Sequence, residues 1–219
     1  AETLGSVSVV CTDKTGTITQ GRMSVTKVVS ADEGGAHEHL DGADQEVLLI
    51  GSLNNDATFS ETESRGVGHP TEAALVEAAV HAGIDLEVER AAWRRIGEIP
   101  FSSDKKYMAT LHRHDKREYL FVKGAPERVL AMCDLSDGEL ERLQALAMSM
   151  TAEGLRVLAI AKKEDVEGGI NEAMLTKLSC VGFVGIQDPL RPTTVDTIAL
   201  LNGAGVRMML ITGDHPATA

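Results

Sequence analysis

Short apolar runs separated by polar breaks mark both ends of the chain. They predict strands at residues 7–12, 180–186 and 206–211, and a helix at residues 192–204. Apolar strands separated by a helix favour a parallel sheet, and ligands bind such sheets at the carboxyl ends of the strands. Asp13 and Asp214 follow two of these strands, so we expect both carboxylates to lie at that edge.

The segment between these two ends shows a different pattern. It predicts helices at residues 45–53, 71–82 and 137–152, and strands at residues 93–100, 107–112, 118–122 and 155–161. A polar turn at residues 114–117 joins two of the strands as a hairpin, and residues 136–139 are typical of a helix capping box. We therefore predict an α/β fold, with a parallel-sheet domain at residues 1–19 and 180–219 and an inserted α+β domain at residues 20–179 that contains an antiparallel sheet.

The composition of the chain limits the kinds of partner that it can bind. The 219 residues are 43% hydrophobic, and 33 acidic residues against 21 basic ones give a net charge of −12. Such a surface repels nucleic acid, and no run of Lys or Arg offsets it, so we exclude nucleic acid as a partner. Cys11, Cys133 and Cys180 stand far apart, which argues against a disulfide framework or a zinc site and favours a reducing setting. No apolar run reaches the length of about 18 residues that a membrane span needs.

The strongest chemical signal is the run from Asp13 to Thr17, DKTGT. A carboxylate at the end of a buried strand can attack the γ-phosphorus of ATP and form an aspartyl-phosphate. Gly16 lets the backbone approach a phosphate closely, and Thr15 and Thr17 offer oxygens to phosphate and to Mg²⁺. The alternative is an Asx-turn that closes the strand.

This run resembles the phosphorylation signature of P-type ATPases, ion pumps of the haloacid-dehalogenase-like group. Further segments resemble family segments in the family's order: residues 68–75 (GHPTEAAL), 100–108 (PFSSDKKYM), 121–127 (FVKGAPE), 154–158 (GLRVL), 188–192 (DPLRP) and 212–214 (TGD). Their style is that of type II pumps, the calcium and sodium/potassium branch. The resemblance implies that the insert is the nucleotide-binding domain and that the flanking parallel sheet is a partial haloacid-dehalogenase-like, Rossmann-like phosphorylation domain.

The resemblance also implies a binding site for the adenine base in the insert. Phe101 would stack on the ring, and Lys123 would line the pocket, with Gly124 leaving room for the ring. Glu72 resembles the carboxylate near the adenine amino group, and Leu158 would pack on the base. From the residues alone, Phe101 could equally be a core side chain and Lys123 a solvated lysine in a turn.

The phosphates and the metal ion are assigned to other residues. Arg156 resembles the arginine that meets the phosphate chain, and Lys106 is a candidate for the same region. The resemblance implies that Asp13 is the phosphorylated residue and that Asp13 and Thr15 hold Mg²⁺. The remaining phosphate-side residues are Lys14, Thr15, Thr17, Asp188, Arg191, Thr212, Gly213 and Asp214. From the residues alone, Asp188 and Arg191 could instead form a structural salt bridge.

Two positions depart from related patterns. A related phosphatase carries a second Asp two residues after the nucleophile, as general acid and base for hydrolysis, and here that position is Thr15. Threonine cannot take up that proton, which disfavours the alternative of a soluble haloacid-dehalogenase-like phosphatase.

Family members usually have Asp where this chain has His69, and His69 is a poorer helix cap. A second alternative is a non-catalytic ATP-binding module.

The implied whole protein is an ATP-driven cation pump with this region at the cytoplasmic face of the membrane. Its partners would be ATP, the transported cation, and the membrane and actuator domains of the full-length protein. The later acidic Mg²⁺ motif of the family does not occur in these 219 residues. We therefore expect the chain to form a phosphoenzyme poorly. From the lack of a membrane-length apolar run and from the insert, we expect it to be soluble, to bind ATP and not to transport. The identity of the cation stays open, because ion ligands belong to membrane helices.

Overall fold

The computed structural model describes residues 7–32 and 42–211, which fall into two compact units. The smaller unit comes from the segments Ala1–Met23 and Asp188–Ala219, and the larger unit is Ser24–Gln187. The boundaries between the two units lie after residues 23 and 187. The sequence predicts functional domain boundaries after residues 19 and 179, and these stay a prediction. The predicted phosphate residues Thr212, Gly213 and Asp214 lie outside the described residues.

Ten strands and six α-helices lie in the described ranges. The strands are β1 (Val9–Asp13), β2 (Ser24–Ser30), β3 (Thr58–Ser60), β4 (Arg65–Val67), β5 (Arg94–Ile99), β6 (Tyr107–His114), β7 (Arg117–Gly124), β8 (Arg156–Lys163), β9 (Ser179–Gln187) and β10 (Arg207–Ile211). The helices are α1 (Gly42–Leu53), α2 (Pro70–His81), α3 (Leu86–Ala92), α4 (Pro126–Leu130), α5 (Asp137–Ala152) and α6 (Thr194–Gly203). None of these helices is both long enough and apolar enough to cross a bilayer.

A six-stranded antiparallel sheet organises the larger unit, in the order β2-β9-β8-β7-β6-β5. The predicted antiparallel sheet of the insert is therefore confirmed. The predicted hairpin is confirmed as β6–β7, with a two-residue turn at Asp115 and Lys116, whose φ angles are 48° and 69°. Positive φ at both central residues gives the twist that a tight hairpin requires.

Helices cover the two faces of this sheet. Ile160 of β8 reaches α1, where its side chain would lie 3.6 Å from a Cβ placed on Gly51. Gly185 of β9 points to the opposite face, where Met150 of α5 comes within 3.0 Å of the same kind of Cβ position. The core on the α5 side contains Phe183, Leu143 and Met150, each at most 1% exposed. Burial on both faces explains why the central strands read as continuous apolar runs.

One strand was assigned to the wrong sheet. Residues 180–186 were predicted to belong to the parallel sheet, but β9 pairs antiparallel with β2 and β8 inside the larger unit. An apolar run fixes that a strand is buried on both faces and leaves its partner strands undetermined. The edge strand β2, with the sequence SVTKVVS, was not predicted at all.

Within residues 7–23 and 188–211, the smaller unit contains one parallel strand pair. β1 and β10 run parallel, in a register that places Asp13 opposite Ile211. The helix predicted from residue 192 begins two residues later, at Thr194, whose backbone N–H donates to the carbonyl of Arg191 at 3.0 Å. The parallel arrangement agrees with the predicted sheet, while its full haloacid-dehalogenase-like form stays a prediction.

The N-terminus of α2 lacks a side-chain cap. His69 occupies the cap position with φ −60° and ψ 136°, and its side chain makes no capping hydrogen bond. By contrast, the predicted capping box of α5 is formed between Ser136 and Glu139. Aspartate at position 69 would accept from a free backbone N–H and favour the positive end of the helix.

We predict that His69→Asp raises the free energy of unfolding by about 0.5–2 kcal/mol. Urea denaturation measures this as a higher midpoint at an unchanged m-value. His69→Ala is the control, and it should leave the midpoint close to that of the parent chain. A lower midpoint in His69→Asp would show that the cap assignment is wrong.

His112 makes the stability of the larger unit depend on pH. Its ring is 1% exposed, with Nδ1 3.0 Å from the carbonyl of Trp93 and Nε2 2.8 Å from the hydroxyl of Thr110. Burial lowers the pKa of His112 to about 4. Between pH 6.5 and 4 the unfolded chain therefore binds a proton that the folded chain does not bind, so acidification favours unfolding.

We predict that this histidine removes about 3 kcal/mol of stability between pH 7 and pH 4, with the loss levelling off below pH 4. The measurement is the unfolding free energy of the parent chain and of His112→Gln across that range. The difference between the two should shrink as the pH falls. His81→Gln, which changes an exposed histidine of α2, is the matched control. A pH profile of His112→Gln that runs parallel to the parent profile would refute the assignment.

Candidate functional site

A buried ion pair joins two of the predicted nucleotide residues. Lys123, near the end of β7, is 6% exposed, and its Nζ donates to Oε1 of Glu72 at 2.7 Å. The ammonium also donates to the backbone carbonyl of Asn54. Glu72 lies in the first turn of α2, where the helix dipole favours a carboxylate. The structure thus brings Lys123 and Glu72 together, as expected if both serve one site.

Burial dominates the electrostatics of this lysine. Desolvation lowers the pKa of Lys123, and the charge and hydrogen bond of Glu72 act in the opposite direction. A buried charge is costly unless it is paired and hydrogen-bonded, and Lys123 has both a carboxylate and a carbonyl. The ion pair offers a ligand a donor and an acceptor side by side, next to an apolar sheet.

Two further predicted residues lie beside the ion pair, on β8. Nη1 of the exposed Arg156 donates to the hydroxyl of Thr71 at 3.2 Å, and Thr71 directly precedes Glu72. Leu158 is half-buried and shares a face of the strand with Arg156, because side chains two residues apart point the same way. Ile160, next along this face, pairs with Lys123 across the strands. A base-sized ligand beside Leu158 would therefore have cationic and anionic groups within reach.

Phe101 and Lys106 lie on the segment between β5 and β6. The N–H of Lys106 donates to the carbonyl of Ser102 at 2.8 Å, which closes the segment into a tight turn. Phe101 is 61% exposed, so its ring is not a core side chain. The Nζ of Lys106 lies 3.3 Å from Glu127 in an exposed pair. In the hydrogen bonds and ion pairs of the described residues, neither side chain joins the Lys123–Glu72 pair.

Gly124 has a packing reason of its own. A Cβ at this position would lie 2.4 Å from the carbonyl oxygen of Lys106 and 2.7 Å from the Cα of Tyr107. Glycine is thus required where β6 and β7 approach each other. Its predicted role of leaving room for the adenine ring stays a prediction, since the crowding comes from the neighbouring strand.

Two residues of this site were missed by the sequence reading. Asn54 and Asn55 directly follow α1, and Nδ2 of Asn55 donates to the backbone carbonyl of Glu72 at 3.0 Å. Asn54 supplies the carbonyl that accepts from Lys123. The available signal was a pair of amide side chains immediately after the predicted helix at residues 45–53, where helix carbonyls lack intrahelical partners.

The DKTGT run forms a tight loop at the end of β1. Asp13 is the last residue of the strand and is exposed, and Lys14–Ile18 turn directly after it. Gly16 has φ +75°, a conformation that favours glycine. Thr19 fixes the loop, because its backbone N–H donates to the carbonyl of Lys14 at 3.1 Å and its hydroxyl oxygen accepts from the N–H of Gly16 at 3.0 Å. The loop therefore presents the carboxylate of Asp13 at a strand end, as predicted.

Asp188 braces this loop from the other segment of the smaller unit. Its carboxylate accepts from the hydroxyl of Thr19 at 2.6 Å and from the backbone N–H groups of Gly21 and Arg22 at 2.9 and 3.2 Å. These bonds commit the carboxylate to holding the backbone. A direct part of Asp188 in phosphate binding stays a prediction.

Arg191 has a similar part. Its guanidinium donates to the carbonyls of Gly16 at 2.7 Å and Thr17 at 3.0 Å. The alternative of a salt bridge between Asp188 and Arg191 is wrong, because in the described part of the chain each side chain bonds the loop instead. Contact between Arg191 and a phosphate stays a prediction.

The metal assignment rests on oxygen donors at this loop. Asp13 and Thr15 are both exposed and lie two residues apart, and their oxygens are the kind that Mg²⁺ prefers. Residues 7–32 and 42–211 contain no group of three or more His, Cys, Asp and Glu side chains arranged to hold a metal ion. The two residues fit a metal that takes most of its ligands from water and a nucleotide.

Comparison with known proteins gives a consistent result. The family model described as P-type ATPase, cytoplasmic domain N, matches residues 44–193. The whole chain aligns with 26% of the Calcium-transporting ATPase 1 of Bacillus cereus at 36% identity, and with 26% of the Calcium-transporting ATPase 1 of Lactococcus lactis at 37% identity. It also aligns in full with 28% of the Cation-transporting ATPase pma1 of Synechocystis at 36% identity.

A mixed α/β unit with a six-stranded antiparallel sheet is the fold expected of such a domain N. The chain therefore belongs to the P-type ATPase family. It spans about a quarter of the length of the curated relatives it matches.

Proposed function

We propose that this chain is the ATP-binding and phosphorylation region of an ATP-driven cation pump. The single observation that carries the proposal is the buried pair of Lys123 and Glu72, with Nζ and Oε1 2.7 Å apart, at the positions implied for the adenine pocket. Relatives named as calcium-transporting and cation-transporting ATPases support the pump as the parent protein. This proposal includes transport of a cation, partnership with membrane and actuator domains, and a place at the cytoplasmic face of the membrane.

In the larger unit, the site residues would bind the nucleotide in separable ways. The ring of Phe101, 61% exposed, is available for stacking on a base. The ammonium of Lys123 and the carboxylate of Glu72 would donate to and accept from the base, and Arg156 offers a planar cation to the phosphate chain. The exposure of Phe101, the charges of the other side chains and the family to which the chain belongs support ATP binding by these residues.

In the smaller unit, Asp13 would accept the γ-phosphoryl group. A carboxylate oxygen of Asp13 forms the bond to the γ-phosphorus, the bond from phosphorus to the β,γ-bridging oxygen breaks, and ADP leaves with that electron pair. Mg²⁺, when bound, neutralises charge on the phosphate oxygens. Arg191 and Asp188 fix the loop that carries Asp13, so that the carboxylate is positioned before the nucleotide arrives.

The residue two places after Asp13 favours a persistent phosphoenzyme. Thr15 is exposed and offers a hydroxyl where a phosphatase would have a carboxylate. Without a proton acceptor there, water attacks the aspartyl-phosphate slowly. A long-lived intermediate suits a pump, which has to couple the phosphorylated state to a conformational change.

We predict that Phe101→Ala weakens ATP binding by about ten-fold or more, because stacking on an aromatic ring is worth roughly 1–3 kcal/mol. Calorimetric titration of the parent chain and the variant measures the change. Met148→Ala is the matched control, since Met148 is 72% exposed on α5 and should leave the affinity unchanged. Equal affinities of Phe101→Ala and the parent chain would remove Phe101 from the site.

We predict that γ-labelled ATP with Mg²⁺ leaves acid-stable label on the chain at well below one phosphate per molecule, and that Asp13→Asn abolishes it. Asp196→Asn, which alters an exposed carboxylate on α6 in the same unit, should keep the label. Label that persists in Asp13→Asn would identify another acceptor. A parent chain that binds ATP and takes up no label would support the non-catalytic ATP-binding module instead.

A further inference from the structure

The side chain of Asn54 joins the end of α1 to the two strands at the candidate site. Asn54 follows the last residue of α1 and is 0% exposed. Its Nδ2 donates to the carbonyl of Met108 on β6 at 3.2 Å and to that of Phe121 on β7 at 3.3 Å. Met108 pairs with Lys123 across these strands, and Phe121 stands two residues before Lys123. The amide thus bonds the backbone that carries the lysine.

The backbone of Asn54 holds the other end of the same lysine. Its carbonyl accepts a hydrogen bond from Nζ of Lys123. Carbonyls at a helix C-terminus lack intrahelical partners and carry the negative end of the helix dipole, so they favour a cation. The ammonium is therefore held by two groups, the carboxylate of Glu72 and this carbonyl.

The next residue ties the same helix end to α2. Nδ2 of Asn55 donates to the backbone carbonyl of Glu72 at 3.0 Å, and its Oδ1 accepts from the N–H of Ala57 at 2.8 Å. The end of α1 is thus bonded to both elements that supply the ion pair. Neither amide side chain reaches solvent, since Asn55 is only 2% exposed.

We infer that Asn54 is a positioning residue for nucleotide binding, which acts by fixing the ammonium of Lys123 through its own backbone carbonyl. This inference rests on the proposed function. Without the side-chain bonds to β6 and β7, the carbonyl of Asn54 is no longer held opposite Nζ. Glu72 alone then orients the ammonium, and the pair no longer presents a fixed donor to the base.

The test is a double-mutant cycle read out as ATP affinity by calorimetry. Asn54→Leu removes the amide and keeps the side-chain size, and Lys123→Met removes the ammonium. We expect Asn54→Leu to weaken ATP binding about ten-fold in the parent chain and by no more than about two-fold in the Lys123→Met background. Thr110→Val, which deletes a buried hydrogen bond to His112 on β6, should leave ATP affinity unchanged.

Two outcomes would overturn the inference. Asn54→Leu without effect on affinity would mean that Lys123 is placed without the amide. The same fold-loss in the parent and Lys123→Met backgrounds would mean that Asn54 acts on the fold and not through the lysine. Failure of the proposed function looks different, because the parent chain would then not bind ATP at all.

A second measurement does not need the nucleotide. The ¹³Cε resonance of Lys123 follows its protonation. If the leucine variant does not unfold cooperatively, Asn54→Ala, which also removes the amide, takes its place. We expect the apparent pKa of Lys123 to move in the Asn54 variants and to stay in place in Thr110→Val. An unchanged titration of Lys123 in the Asn54 variants would overturn the inference, whether or not ATP binds.

Discussion

The ammonium of Lys123 is buried beside an apolar sheet, and its charge has to be compensated there. The carboxylate of Glu72 on α2 and the carbonyl of Asn54, directly after α1, provide that compensation. Breaking a buried ion pair by removing one partner leaves an uncompensated charge, which is strongly destabilising. The N-terminus of α2, the C-terminus of α1 and the end of β7 are thereby tied to one another by a single side chain.

This interaction also explains why the candidate site lies at this end of the sheet. A helix N-terminus favours a carboxylate and a helix C-terminus favours an ammonium, so the pair sits where both helix dipoles act in its favour. Arg156 joins the same end through Thr71, and the exposed Phe101 remains free of core packing. The charges of Lys123 and Glu72 are already paired in the described structure.

The sequence assigned Lys123 and Glu72 to one site, and the structure places the two side chains in contact. The packing reasons for other residues could not be read from the sequence. Gly124 was predicted at a strand end and lies at the end of β7, yet packing against the carbonyl of Lys106 is what requires glycine there. Periodicity located β9 and could not choose its sheet, because a strand buried on both faces has the same pattern in either one. The sequence did not predict Asn54, because its contacts use a backbone carbonyl, which every residue has, and strands more than fifty positions away.

The two units support their candidate functional side chains in the same physical way. In each, a polar side chain from a distant segment bonds the backbone next to the candidate functional side chain, as Arg191 does for the loop after Asp13 and Asn54 for β7. Such a residue acts without contacting a ligand. Its removal leaves backbone groups without hydrogen-bond partners and, at the same time, lets the supported side chain change position. One variant then loses both stability and function. Only a double-mutant cycle with the supported residue separates the two effects. The same reasoning applies to Asp188, whose carboxylate holds Thr19 and Gly21 while the motif alone would assign it to the phosphate.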